Sequence, residues 1–202
     1  MTNLSDDILI LATSSLKQDY ENTITRQIYP RVEYVELAKH LNVKYLNYSL
    51  YESLPFGKRI KKLETFLRTD ISLALAAVHQ AKTKQPLLAM SERVGIVLAA
   101  LKKLRLITNK LIFRFTAWSD RQHWIFRRFD LLPVVDYIIV ESSPLGELLK
   151  REFSVPPEKI CFIPYAIDHQ FFTPLAESAG DYLFSAGEAR GRDYETLLRA
   201  ID

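Results

Sequence analysis

Cysteine is nearly missing from this chain: Cys161 is the only one in 202 residues. A single thiol cannot close an internal disulfide, which removes the disulfide-framework class and suits a reducing compartment. Cys161 lies in an apolar run and reads as a small buried hydrophobe rather than a nucleophile. Glycine is also scarce, with six residues. No Gly-x-Gly-x-x-Gly and no Walker A pattern occurs, and the first strand–loop junction is Ala12-Thr13-Ser14-Ser15. Dinucleotide and P-loop enzymes are therefore disfavoured. No apolar run approaches the ~20 residues that a membrane-spanning helix needs. Met1 to Asp7 contains neither a basic region nor a cleavable apolar stretch, so a cytoplasmic protein is expected. His40, His79 and His169 have no metal-ligand spacing with one another or with Cys161, so neither a metal nor a cofactor is expected.

Charge is present in ordinary amount but unevenly placed. Residues 1–56 carry five basic and seven acidic side chains, and residues 129–202 carry six and thirteen. Residues 57–128 carry sixteen basic and only four acidic ones, a local excess of +12 inside a chain of net charge +3. Such a field attracts anions and weakens with salt. Two basic clusters stand out. Lys58, Arg59, Lys61 and Lys62 open a stretch with an apolar stripe, and Lys102 and Lys103 end another. Basic amphipathic helices can lie on anionic lipid, and the plain alternative is a solvated basic face. No helix-turn-helix, RNA-recognition or zinc-finger pattern accompanies the charge, so nucleic acid is not the expected partner.

Apolar runs alternate with helical patterns. Strands are expected over Asp7–Ala12, Lys44–Tyr48 (an edge strand), Pro86–Met90, Lys110–Phe115, Val134–Val140 and Lys159–Ile163. Between them, helices are expected from Pro30 to Leu41 and from Gly57 to Gln80, the latter striped by Ile60, Leu63, Leu67, Ile71 and Ala74. Ser91 should cap the next helix, and Ser143 with Pro144 should open another, stopped by Pro156-Pro157. A polar loop should fill the span up to Tyr29. This alternation predicts an α/β fold, a Rossmann-like parallel sheet flanked by helices. Ligands then bind beyond the carboxyl ends of the strands.

The last forty residues are the most specific. Ile163-Pro164-Tyr165-Ala166-Ile167-Asp168 ends one apolar strand and passes through Phe171-Phe172-Thr173-Pro174. A second apolar strand, Tyr182 to Gly187, is followed by a loop with Arg190 and Arg192. A helical pattern then begins near Asp193, with Tyr194, Leu197, Leu198 and Ile201 on one face. This order resembles the inter-domain segment of the GT-B glycosyltransferases, specifically the retaining enzymes of family 4. Ile163, Pro164, Ile167, Asp168, Phe172, Pro174, Gly187, Leu197, Leu198 and Ala200 match that pattern, while Tyr165 and Ala166 replace the usual Asn-Gly. The resemblance implies an acceptor-side domain over 1–173, a linker over 174–180, and over 181–202 the start of a donor-binding domain that this chain does not complete.

Two residue sets follow for a site. Gly187, Arg190 and Arg192 lie where the resembling enzymes hold the donor diphosphate, and guanidinium forks beside helix-start amides suit phosphate oxygens. Two solvated arginines are the plain alternative. Trp118, Asp120 and His123 follow the Lys110–Phe115 strand, near the place of the family's acceptor-side residues. An aromatic face there can pack on a sugar ring, and Asp120 can orient a hydroxyl. The alternative is ordinary core and surface, as it is for Phe113, Phe115 and Phe126. Glu92 reads first as an acid favoured by a helix N-terminus.

The function implied is transfer of a sugar from a nucleotide-sugar donor to the hydroxyl of a sugar or lipid-linked acceptor, with retention, by an enzyme of which this chain is an inactive portion. Its location would be cytoplasmic or peripheral on a membrane's inner face. The rival reading is a non-catalytic, glycosyltransferase-like module that holds an anionic membrane or a partner through its basic face. An unrelated flavodoxin-like or periplasmic-binding type of α/β protein is a third possibility, against which the missing phosphate loop and export signal count.

Overall fold

A computed structural model describes residues 8–16, 19–41, 43–48, 62, 64–65, 69–116, 119–173 and 193–201. Six short strands form one sheet: β1 (Ile8–Leu11), β2 (Val43–Leu46), β3 (Leu87–Ala89), β4 (Leu111–Phe115), β5 (Tyr137–Val140) and β6 (Ile160–Phe162). Every neighbouring pair is parallel, in the order β2-β1-β3-β4-β5-β6. The fold is α/β and Rossmann-like. Its first five strands follow the flavodoxin-like doubly wound order, with the change of direction between β1 and β3. β2 lies at the edge, as its short polar sequence predicts.

The strands are short, and each points alternate side chains to opposite faces. Leu9, Leu11, Leu87, Ala89, Leu111, Phe113, Phe115, Ile138 and Val140 face one side and are buried there. Against them pack α3 (Ile71–Gln80), α4 (Glu92–Lys103), α5 (Asp120–Phe129) and α6 (Ser143–Phe153). Phe113, Phe115 and Phe126 form an aromatic cluster, with ring centroids 4.3 to 5.6 Å apart. Gly95 lets α4 approach this cluster, because a Cβ at that position would stand 1.9 Å from Phe113 Cε2. On the other side, Ile10, Ala12, Tyr20, Tyr34 and Val35 form a smaller core under α1 (Tyr20–Thr25) and α2 (Glu33–His40).

Several local expectations are corrected. The span before Tyr29 contains α1, held by the Tyr20 hydroxyl, which accepts from Val32 N–H at 2.6 Å. The helical stretch expected from Gly57 to Gln80 does not run through: residues 62, 64 and 65 are helical, Thr69 and Asp70 are not, and α3 starts afresh at Ile71. The buried Glu64 carboxylate explains the restart. It accepts from Ser72 N–H and Oγ, both at 2.6 Å, and so caps α3 from outside the helix. Ser91 and Ser142, not Ser143, occupy the N-cap positions of α4 and α6, and neither side chain makes a capping bond. Cys161 is exposed, because β6 is the outermost strand.

Residues 1–172 and 173–202 form two compact units. In the second, α7 (Tyr194–Ile201) is capped by Asp193, which accepts from Thr196 N–H at 3.0 Å and Thr196 Oγ1 at 2.6 Å. The expected helix start near Asp193 is therefore present. The strand expected at Tyr182–Gly187 and the linker lie outside the described residues.

Candidate functional site

The loops beyond the carboxyl ends of the strands form the place where a doubly wound sheet takes its ligands. Three charged links cross it. Asp168, in the loop after β6, accepts from Arg31 N–H at 2.9 Å, Nε at 3.1 Å and Nη2 at 2.6 Å. Arg31 precedes α2, so the bond joins the end of β6 to the crossover that follows β1. The Arg31 guanidinium holds the Asp168 carboxyl well below the usual carboxylate range.

Arg114, on β4, is the second centre. Its Nε donates to Glu141 Oε1 at 2.8 Å, a second guanidinium nitrogen also contacts that oxygen, and Nη1 donates to Glu33 Oε2 at 2.6 Å. Glu33 opens α2 and Glu141 follows β5, so one side chain ties three elements. Burial pulls the guanidinium down, and the two carboxylates more than offset that.

The third link is at Glu92, in the first turn of α4. Its buried carboxylate accepts from Thr116 N–H at 2.7 Å and so fixes the loop after β4. The helix-start reading of Glu92 thus has a concrete partner. His123, one turn into α5, pairs away from this edge: its Nε2 stands 2.8 Å from Glu152 Oε2 in the last turn of α6, with its ring edge-on to Phe153 at 5.2 Å. Beside these, Asp70 is buried and contacts Arg93 at 2.9 Å. Burial raises its carboxyl, while a Tyr48 hydrogen bond and Arg93 oppose the rise.

Of the expected acceptor-side residues, Asp120 starts α5 beyond the carboxyl end of β4, while His123, one turn on, is turned toward the far end of α6. Asp120 is exposed and His123 half-buried. Ser119 holds that start through a capping box, its Oγ accepting from Gln122 N–H at 3.4 Å and its own N–H donating to Gln122 Oε1 at 2.9 Å. Trp118, Gly187, Arg190 and Arg192 lie outside the described residues, as do Lys58, Arg59 and Lys61. Lys62 is helical and exposed. Lys102 forms an ion pair with Asp136, and Lys103 donates to Phe129 O at 2.8 Å and Asp130 O at 2.9 Å. Both ammonium groups are engaged within the fold, and Lys103 covers the negative end of α5.

Sequence reasoning missed Arg31, Glu33, Arg114 and Glu141 as members of this edge. Arg114 alone carried a signal, a cation inside the strand Leu-Ile-Phe-Arg-Phe. Among the described residues no cluster of three metal-ligating side chains occurs, and no helix is long and apolar enough to cross a membrane. No protein-family model and no curated protein matches the chain.

Proposed function

We propose that the chain is the acceptor-side portion of a retaining GT-B-type glycosyltransferase, which moves a sugar from a nucleotide-sugar donor to an acceptor hydroxyl. The observation that carries this reading is the anchoring of Asp168. In the segment Ile163-Pro164 to Phe172-x-Pro174, which resembles the family's inter-domain segment, this carboxylate is clamped by Arg31 at the carboxyl edge of an α/β sheet. The exit from β6 is thereby held beside the loops that receive ligands. In this reading Asp120, with Trp118, belongs to the acceptor side. By the same resemblance Gly187, Arg190 and Arg192 would meet the donor diphosphate, where guanidinium groups stabilise the charge that develops as the bond to the sugar breaks.

The test is release of nucleoside diphosphate from a panel of UDP- and GDP-hexoses by the whole gene product, with sugar and lipid-linked acceptors supplied. Arg192→Ala should lower kcat/KM by about a hundredfold if the guanidinium stabilises the leaving group. Absence of nucleotide release with every donor and acceptor would remove the reading.

A second reading rests on a different observation: the charged groups at the carboxyl edge are matched to one another, Arg31 with Asp168 and Arg114 with Glu33 and Glu141. Such an edge suits a module that holds other molecules through its basic face, an anionic membrane or a partner, without catalysis. Binding to anionic vesicles with no turnover of any nucleotide sugar would favour it.

A further inference from the structure

The opposite, amino edge of the sheet has a different character. Helices α4 and α5 end there, because each returns from the carboxyl edge to feed the next parallel strand. Lys103 joins the two helix ends through Phe129 O and Asp130 O. The Asn109 amide joins the adjacent turn through Lys82 O at 3.1 Å and Gln85 O at 2.8 Å. These bonds bring the turns at residues 82–85, 103–109 and 129–130 side by side on this edge.

Large apolar side chains stand open on it. Leu104 is 68% exposed, Leu106 66%, Trp124 59% and Phe129 51%. Arg105, at φ 59, reverses the chain between the two leucines. Trp124 and Phe129 meet edge-to-face at 6.0 Å, and the Arg128 guanidinium lies 5.8 Å from the Phe129 ring centroid. Around them, Lys84, Arg105, Lys110, Arg127 and Arg128 are exposed and form no ion pair among the described residues. Exposed leucine, tryptophan and phenylalanine set among exposed cations are the composition of a surface that enters the headgroup layer of an anionic bilayer. A duplex or single-stranded nucleic acid would engage the cations and the rings. It would leave Leu104 and Leu106, aliphatic and at the tip of a turn, without a role.

We infer that this amino edge is a docking surface for an anionic lipid bilayer, with Leu104, Leu106, Trp124 and Phe129 inserting and Arg105, Arg127 and Arg128 meeting lipid phosphates. The inference rests on the membrane-holding half of the second reading and needs no catalysis. It moves the membrane contact from Lys102 and Lys103, which have partners in the fold, to the neighbouring arginines and apolar side chains.

The test is co-sedimentation of the full chain with phosphatidylcholine vesicles, with and without phosphatidylglycerol. Binding should need the anionic lipid and weaken as salt rises. Replacing Arg105, Arg127 and Arg128 together by Gln should reduce partitioning about a hundredfold, at about one kcal/mol per cation near an anionic surface. Leu104→Ser with Leu106→Ser and Trp124→Ser should also reduce it while leaving the salt dependence in place. All six side chains are exposed, so circular dichroism melting should be unchanged in both variants. In a Trp118→Phe background, Trp124 emission should shift to the blue on vesicle addition. No binding to anionic vesicles at low salt would overturn both this inference and the membrane-holding reading. Binding unchanged in both variants would overturn the surface while leaving that reading standing. Loss in the arginine variant alone, with duplex DNA or RNA bound by the wild type, would make the edge a nucleic-acid face and overturn the inference.

Discussion

Arg31 and Asp168 lie 137 residues apart and meet through three hydrogen bonds, two from the guanidinium and one from the backbone N–H. The first follows α1 and the second follows the last strand of the sheet. The pair therefore closes unit 1 from its first crossover to its exit segment.

That closure should depend on pH in one direction. The Asp168 carboxyl titrates lower in the folded chain than in the unfolded one, held down first by the Arg31 side-chain bond. Its contribution is then complete above the ordinary aspartate range and is lost as the pH falls below about 4. Melting temperatures measured from pH 6 downward should drop less steeply in Asp168→Asn than in the wild type. Parallel curves would show that the pair does not act on stability.

Gly95 and Gly146 should respond oppositely to alanine. A methyl at Gly95 would meet Phe113 at 1.9 Å, and that ring is fixed between Phe115 and Phe126. Gly95→Ala should therefore cost roughly 1–3 kcal/mol of unfolding free energy, although alanine favours a helix. At Gly146 the nearest atoms are 3.5 and 3.7 Å away, an ordinary contact. Gly146→Ala should leave stability level or raise it by up to about 1 kcal/mol. Urea unfolding of both variants checks the pair. Equal effects would sink the packing argument.

Ser119→Ala removes one half of the capping box on α5. The expected loss is about 1 kcal/mol. Because Asp120 and His123 ride on that first turn, hydrogen exchange at their amides should rise in the variant while that of β4 does not.

Arg114→Leu leaves two carboxylates without their cation, and Glu141 is largely buried. A loss of about 2–3 kcal/mol is expected, since hydrogen bonds to charged groups and an uncompensated charge both count. Adding Glu141→Gln should recover part of it in a double-mutant cycle. Strict additivity of the two changes would exclude the link.

What the sequence made legible was the periodic part. Leu111 to Phe115 alternates and is a strand with alternate residues buried. The apolar runs at Ile8, Leu87 and Tyr137 are parallel strands, and the whole sheet follows from their alternation with helices. Where the pattern misled, a polar group overrode it. The apolar stripe continues past Thr69, yet the Glu64 carboxylate restarts the helix at Ile71. Helix α1 escaped notice because Tyr-Glu-Asn-Thr-Ile-Thr buries only Tyr20. At the carboxyl edge, Asp120 could be placed because it follows a visible strand, whereas nothing in the sequence showed that His123 pairs with Glu152. Arg31 and Asp168 could not be paired, since nothing local marks a contact over 137 residues.

The two edges of the sheet also set a direction. β4 spans five residues, so its ends are separated by roughly 15 Å at about 3.3 Å per residue. A chain seated on a bilayer by Leu104, Leu106 and Trp124 turns Arg114, Glu141 and Asp168 toward the water, about one strand length above the headgroups. Whatever the carboxyl edge receives would then arrive from solution or on a tether long enough to climb that height, and an acceptor buried flush in the leaflet would be out of reach.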